Sequence, residues 1–219
     1  MSPTPCLILG AAGHGAVVAD ALPAGSLLGF LDDSEKCPLL PHGLRRLGAF
    51  RDLGPLLRAN PMAEVVIALG DNALRERIAR QLLADYPTLR FATVVHATAS
   101  ISRHASVSPG AVICAGAVIG PGASVGSHAI VNTRASLDHH AVLGDFASMA
   151  PASATGGGAS MGARSHLGMG AMLHHGISVG ADTVVGSLSL VAGDLPDRVV
   201  ALGAPARIVR SREPGERYL

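Results

Sequence analysis

From Val95 to Val191 every sixth residue is aliphatic or methionine, with Thr155 as the one exception, and no insertion interrupts the series. Four places after each of these positions, from Ala99 to Ala171, stands Ala or Ser; further on, Ile177 and Leu195 break the pattern. A period of six matches neither the 3.6 of a helix nor the two of an extended strand. It matches a solenoid of very short strands joined by corners, in which one large residue per hexad fills the interior and one small residue lets the backbone turn. The period therefore predicts a narrow prism over residues 93–200, followed by a tail, 201–219.

Composition agrees with a thin coil. Aromatic residues make up 3% of the chain and Trp is absent, as expected where a narrow interior has no room for large rings. Between Ile101 and Pro196 only Arg103, Arg134, Asp138, Asp145, Arg164, Asp182 and Asp194 are charged. A surface so poor in charge either lies against partners or reflects corners that favour small residues. The formal net charge of +1 offers no field for nucleic acid or an anionic membrane. The most apolar stretch, 110–126, is interrupted by Pro121 and several glycines, and so is a poor bilayer helix. No basic segment or cleavage site marks the N-terminus as a signal peptide, so residence in the cytoplasm is expected. Cys6, Cys37 and Cys114 have neither metal spacing nor an even count, so no disulfide is expected.

Residues 1–92 lack the hexad period and read as a small Rossmann-like α/β domain. Strands are expected at 6–10, 27–31, 64–69 and 89–94, with helices at 13–22, 50–59 and 73–85. The first turn, Gly10-Ala11-Ala12-Gly13-His14-Gly15, does not have the dinucleotide spacing, which argues against nicotinamide chemistry. Its glycines still allow close backbone approach, and the helix start presents free amides to an anion. Asp32 and Asp33 close the second strand and Gly70-Asp71-Asn72 closes the next. All three turns belong at the carboxyl edge of one parallel sheet, where ligands of open sheets collect. Together they suggest a nucleotide or nucleotide-sugar pocket, although each alone also suits a structural turn.

Ten histidines include the pairs His139-His140 and His174-His175. His139 and His175 hold the same hexad place, and with three hexads per turn they stand two turns apart. That separates their backbones by roughly 10 Å, too far for one chain to share a metal between them. The hexad rule turns Leu137 inward and His139 outward at a corner. There an imidazole can take a proton from an attacking amine or hydroxyl, or serve only as a surface residue.

Several of these runs occur together in one family. The Gly10–Gly15 turn with His14, Phe30-Leu31-Asp32-Asp33 and Ala68-Leu69-Gly70-Asp71-Asn72 are matched in the N-terminal region. In the repeat the matches are Val131-Asn132-Thr133, Asp138-His139 and Leu143-Gly144-Asp145-Phe146, and Gly203-Ala204-Pro205-Ala206-Arg207 completes the set. Over nearly its full length the chain resembles the NeuD/PglD-type sugar acetyltransferases, hexapeptide-repeat enzymes with a left-handed parallel β-helix. The handedness comes from the resemblance alone, since ordinary crossover rules favour the other hand.

The resemblance implies a homotrimer with active sites between neighbouring prisms, acetyl-CoA as co-substrate and a nucleotide-linked amino sugar as acceptor. It implies His139 as general base with Asp138 beside it. Gly13, His14, Gly15, Asp32, Asp33, Gly70, Asn72 and Asn132 would contact the acceptor. Ser148, Gly157, Gly168, Met169 and Arg207 would contact acetyl-CoA, with amides near Gly157 facing the developing oxyanion. No metal is implied. Two positions depart from the bacillosamine-type members: His140 stands where they carry an acid after the base, and Ser148 where they carry a second histidine. The missing acid leaves Asp138, or a residue of another chain, to orient His139, or else leaves its orientation looser.

The expected reaction is direct transfer to the sugar amine without a covalent acyl-enzyme, for surface glycan synthesis. O-acetylation of a sialic acid or another sugar is the alternative. A zinc enzyme of the γ-carbonic-anhydrase type, using His166, His174 and His175, and a non-catalytic sugar-nucleotide-binding scaffold are the remaining readings.

Overall fold

The structure, a computed structural model, describes residues 3–37 and 43–218; the extreme ends of the outer domain ranges lie outside it. The N-terminal part opens with β1 (Cys6–Leu9), α1 (Gly13–Ala21) and β2 (Leu27–Leu31). It continues with β3 (Arg46–Gly48), α2 (Leu53–Ala59), β4 (Glu64–Ile67) and α3 (Asn72–Asp85). The four strands form one parallel sheet in the order β3-β2-β1-β4. β1 reads Cys-Leu-Ile-Leu and is buried along its whole length, as a central strand of a sheet covered on both faces should be. Leu7, Leu9, Leu31, Val65 and Ile67 pack one face against Leu53, Ala79 and Leu82 of α2 and α3. Cys6, Ile8, Phe30 and Val66 pack the other face against Val18 and Ala21 of α1.

Two sequence expectations change. β3 has a short polar sequence without apolar alternation and was not anticipated. The strand expected at 89–94 shrinks to one bridge, Val65 to Phe91, and regular pairing starts at Val94. Immediately before it the chain turns at Tyr86-Pro87, where the Leu89 N–H donates to the Tyr86 carbonyl at 2.9 Å.

From Val94 the chain forms seventeen two-residue strands, each bonded in parallel to the strand eighteen residues away. They form three sheets, to which they contribute six, six and five strands, and these enclose a left-handed parallel β-helix of triangular section. The first face, called here the docking face, carries 112–113, 130–131, 148–149, 166–167 and 184–185. The second, the groove face, carries 118–119, 136–137, 154–155, 172–173 and 190–191. The third carries 124–125, 142–143, 160–161 and 178–179. The docking face continues through Val199–Gly203 and an antiparallel partner, Ala206–Ser211. The expected boundary at 200 thus falls inside a strand.

The hexad rule maps directly onto the interior. Ile113, Leu137, Leu143 and Leu167 are buried, and so are the small residues from Ala111 to Ala171. Buried Ser153 and Ser165 satisfy their hydroxyls by donating to carbonyls three residues back, 2.7 Å in each case. Val95, Ile101 and Val107 remain partly exposed because no turn lies beneath the first. The corner residue three places after the inward one lies in the left-handed region even where it is not glycine, as at Arg134, His140, Phe146 and Arg164. Each such residue costs about 1–3 kcal/mol in isolation. The neighbouring turn offsets that cost: the N–H of His140 donates to Pro121 and that of Phe146 to Ser127.

The two parts are fastened by apolar packing and by one buried cation. Val112, Cys114 and Ile130, outward on the docking face, join the core beneath β1 and α1. Burial pushes the Cys114 thiol up to about 12, so it packs as an apolar group. Arg75 of α3 is 1% exposed and has no carboxylate partner. It donates instead to the carbonyls of His128 at 2.8 Å, Leu69 at 2.7 Å and Phe146 at 2.8 Å, and to Asn72 Oδ1 at 2.7 Å. Arg164, on a corner of the coil, grips Asp182 with two bonds and reaches Glu76 of α3 at 2.9 Å.

Candidate active site

Two regions hold the chemistry, and they lie on different parts of the prism. The first is the corner that follows Ser136–Leu137. Leu137 points inward and His139 is exposed at the corner. Asp138, His139, Thr155, Gly157, His174 and His175 line a groove there, open toward Met172 and Leu190 on the groove face. Thr155, the exception in the aliphatic series, stands directly beside this corner. Its hydroxyl accepts the Asp138 N–H at 3.1 Å, where neighbouring turns use the backbone carbonyl of the inward residue. The break in the sequence pattern therefore marks a local change in the ladder at the His139 corner. Asp138, expected beside the base, uses its Oδ1 to accept the backbone N–H of His139 at 2.7 Å. The ring nitrogen Nδ1 of His139 meets His140 Nδ1 instead, at 3.2 Å.

The second region is a cleft of about 420 Å3 between the docking face, the N-terminal part and the chain's end. His14, Gly70 and Asn132, expected at the acceptor, and Ser148, Gly168 and Met169, expected at acetyl-CoA, line this one cleft together. His14 Nε2 is closed off from solvent and has no hydrogen-bond partner. Burial, reinforced by the Arg75 charge, pulls its pKa down to about 4, so the imidazole is neutral. A buried polar atom without a partner calls for a ligand group, an ordered water or a strained role to account for it.

Two further residues line the cleft: His166, expected only as a ligand in the zinc alternative, and Tyr218, which was not expected at all. His166 stands one turn beyond Ser148 on the same face, and its Nδ1 lies 2.8 Å from Ser148 Oγ. The eighteen-residue spacing between Ser148 and His166 carried that signal. Tyr218 closes the cleft from the tail, with its ring centroid 4.6 Å from that of His166. Nothing in the hexad pattern foretold it.

The other expected contacts are placed elsewhere. Asp32 ties the glycine turn by accepting the Ala11 N–H at 2.7 Å, and Asp33 accepts the Phe50 N–H at 2.9 Å. Asn72 donates both amide hydrogens to the carbonyls of Arg164 and Ser165 and accepts from Arg75, which leaves it no donor for a ligand. Gly15 serves packing, because a Cβ there would meet the Gly10 carbonyl oxygen at 2.3 Å, while Gly13 is exposed at the start of α1. Gly157 lies against His139, away from the cleft. Arg207 is exposed on the terminal hairpin and lines neither region. His166 faces the cleft whereas His174 and His175 face the groove, so the zinc alternative's three histidines are not gathered within one chain. Among the described residues no helix is long and apolar enough to cross a membrane.

Comparison with known proteins agrees with this architecture. The family model described as the PglD N-terminal domain matches residues 6–82. A variant of perosamine N-acetyltransferase from Caulobacter crescentus, solved with CoA and GDP-perosamine, superposes with a TM-score of 0.85 at 33% identity. That match covers 94% of this chain and 97% of the other. The acetyltransferase domain of PglB from Neisseria gonorrhoeae, solved with acetyl coenzyme A, gives 0.85 at 28% identity, covering 94% and 100% of the two chains. WeeI from Acinetobacter baumannii shares the fold, with a TM-score of 0.80 at 21% identity over 94% of this chain and 99% of that one. A search of curated proteins finds no match. The prism with an N-terminal α/β part defines a hexapeptide-repeat acetyltransferase. Within that class, the chain belongs to the NeuD/PglD-type family of sugar acetyltransferases.

Proposed function

We propose that this protein transfers the acetyl group of acetyl-CoA to the amine of a nucleotide-linked amino sugar, with His139 as general base, in a homotrimer whose active sites each draw on two subunits. The observation that carries this reading is the separation of the two regions. His139 occupies the corner between the groove face and the third face, which in a triangular prism is the edge opposite the docking face. The cleft opens on the docking face. The two regions stand on different sides of one rigid coil, and a second copy packed alongside would bring one subunit's corner to another's cleft.

The division of labour follows from the chemistry of each region. The cleft supplies polar side chains, His14, Asn132 and Ser148, between apolar walls formed by the outward-facing Ile130, Met169 and Val184. That suits an uncharged sugar bearing hydroxyl and amino groups, with its nucleotide directed toward the glycine turn and the start of α1. The groove beside His139 accommodates the thioester arm of acetyl-CoA. As the amine attacks the thioester carbonyl, its proton passes to His139, coenzyme A leaves on sulfur, and amides at the Gly157 corner face the oxyanion. The structures solved with GDP-perosamine and CoA support this substrate class. Sugar O-acetylation would use the same base on a hydroxyl.

Complementation tests the shared site. His139→Ala and the cleft-filling Asn132→Trp are each expected to be inactive alone. Unfolded together and refolded as mixed trimers, they should recover up to about one quarter of wild-type turnover, since random assembly unites an intact corner with an intact cleft in that fraction of interfaces. Absence of recovery in verified mixed trimers would contradict a site built from two subunits.

A further inference from the structure

The corner that holds His139 is built for two imidazoles. The Nδ1 atoms of His139 and His140 lie 3.2 Å apart, with the ring planes at 80°. Each ring is seated on a glycine one turn away. A Cβ on Gly157 would stand 2.2 Å from His139 Nε2, and a Cβ on Gly122 would stand 2.7 Å from His140 Cδ2. The His140 backbone is also fixed, at φ 56°, with its N–H bonded to the Pro121 carbonyl at 3.0 Å. Asp138 is committed to the corner amide. The nitrogen facing His139 Nδ1 in this chain is therefore that of His140.

Two such nitrogens at hydrogen-bond distance share one hydrogen: one donates and the other offers its lone pair. We propose that His140 is the positioning residue for His139. Its Nδ1 lone pair accepts the His139 Nδ1–H and so fixes the tautomer that presents His139 Nε2 to the acceptor amine. The proposal rests on the reading of His139 as base. The amine nitrogen forms the C–N bond at the thioester carbonyl carbon, the C–S bond breaks with its electron pair going to sulfur, and the amine proton moves to His139 Nε2. The resulting imidazolium keeps its Nδ1–H on the His140 Nδ1 lone pair. The pair orients the base without placing a second carboxylate beside Asp138 at the mouth of the groove.

Variants at His140 separate orientation from structure. Ala152 holds the same corner conformation, at φ 59°, so His140→Ala is compatible with the backbone. His140→Asn keeps an acceptor near the Nδ1 position and also tolerates the left-handed region. In wild type and His140→Asn, 15N spectra of histidine-labelled enzyme should show His139 as the Nδ1–H tautomer. In His140→Ala the signal should shift toward Nε2–H, and kcat should fall about 10- to 100-fold with KM for acetyl-CoA and the melting temperature unchanged. His140→Asn should restore kcat to within about threefold, the remainder reflecting a looser acceptor. An Nε2–H tautomer at His139 in the wild type, or an unchanged tautomer and kcat in His140→Ala, would overturn the proposal while leaving His139 as base. Full turnover in His139→Ala would instead remove the base, and this inference with it.

Discussion

The imidazole of His139 rests on the bare Cα of Gly157: a Cβ at that position would stand 2.2 Å from both Nε2 and Cε1. The glycine is eighteen residues further along the chain, one turn of the coil, and its own φ lies outside the left-handed region. Alanine there suits the backbone and collides with the ring alone. Gly157→Ala should lower kcat by about 10²-fold, the scale of an ångström-size misplacement of a reacting group. Its melting temperature should remain close to wild type, as steady-state kinetics and thermal denaturation would show together.

Removing the Arg75 guanidinium should unfasten the two parts of the chain. Arg75→Met retains volume but strips donors from the carbonyls of His128, Leu69 and Phe146 in a buried junction. Three acceptors left bare there should destabilise the fold by about 3–5 kcal/mol, a range typical of breaking a buried charged network. Urea denaturation monitored by circular dichroism would measure the loss.

Acid should weaken the same junction. His128 is buried between Phe91 and Phe146, with ring centroids 4.4 and 5.0 Å away. Burial, then the Arg75 charge, lowers its pKa from 6.5 to about 4, against a smaller opposing effect of Asp145. The folded state thus holds this imidazole neutral where the unfolded state is already protonated. The associated stability is complete above pH 6.5 and is lost as the pH falls toward 4, amounting to about 3 kcal/mol for a shift of this size. His128→Phe keeps the stack and removes the titration. Its melting temperature should decline less steeply than wild type between pH 6.5 and 4.

His14 belongs to the cleft, away from the groove beside His139. His14→Ala should raise KM for the nucleotide sugar about tenfold or more, the scale of a lost buried hydrogen bond, and leave KM for acetyl-CoA unchanged. An effect confined to acetyl-CoA would contradict the assignment of the cleft to the acceptor.

Much of this structure is legible in the sequence because a six-residue period with one large inward residue fixes a coil of short strands, though not its hand. Leu137 inward, Ala135 and Ala141 at the corners and His139 outward follow from counting. Thr155 was visible as an irregularity, but its meaning was not: only the folded ladder shows its hydroxyl accepting from Asp138. The bond that Asp138 makes to the His139 amide was equally hidden, since adjacency in sequence does not tell whether a carboxylate reaches a ring or the nearest amide. Asn72 and Arg75 were hidden for a different reason. Their acceptors are the carbonyls of residues distant in sequence, which every residue type carries and no motif announces. Tyr218 reaches the cleft from an irregular tail, where no period operates.

The central claim is acetyl transfer from acetyl-CoA to a nucleotide-linked amino sugar through His139. Release of free coenzyme A thiol, measured across a panel of nucleotide amino sugars and their hydroxyl counterparts, tests it most directly. Wild type should release thiol only with an amino acceptor, and His139→Ala should release it about 10² to 10⁴-fold more slowly, the range for losing a positioned base. Equal rates in the two proteins, or release with hydroxyl acceptors alone, would contradict the account.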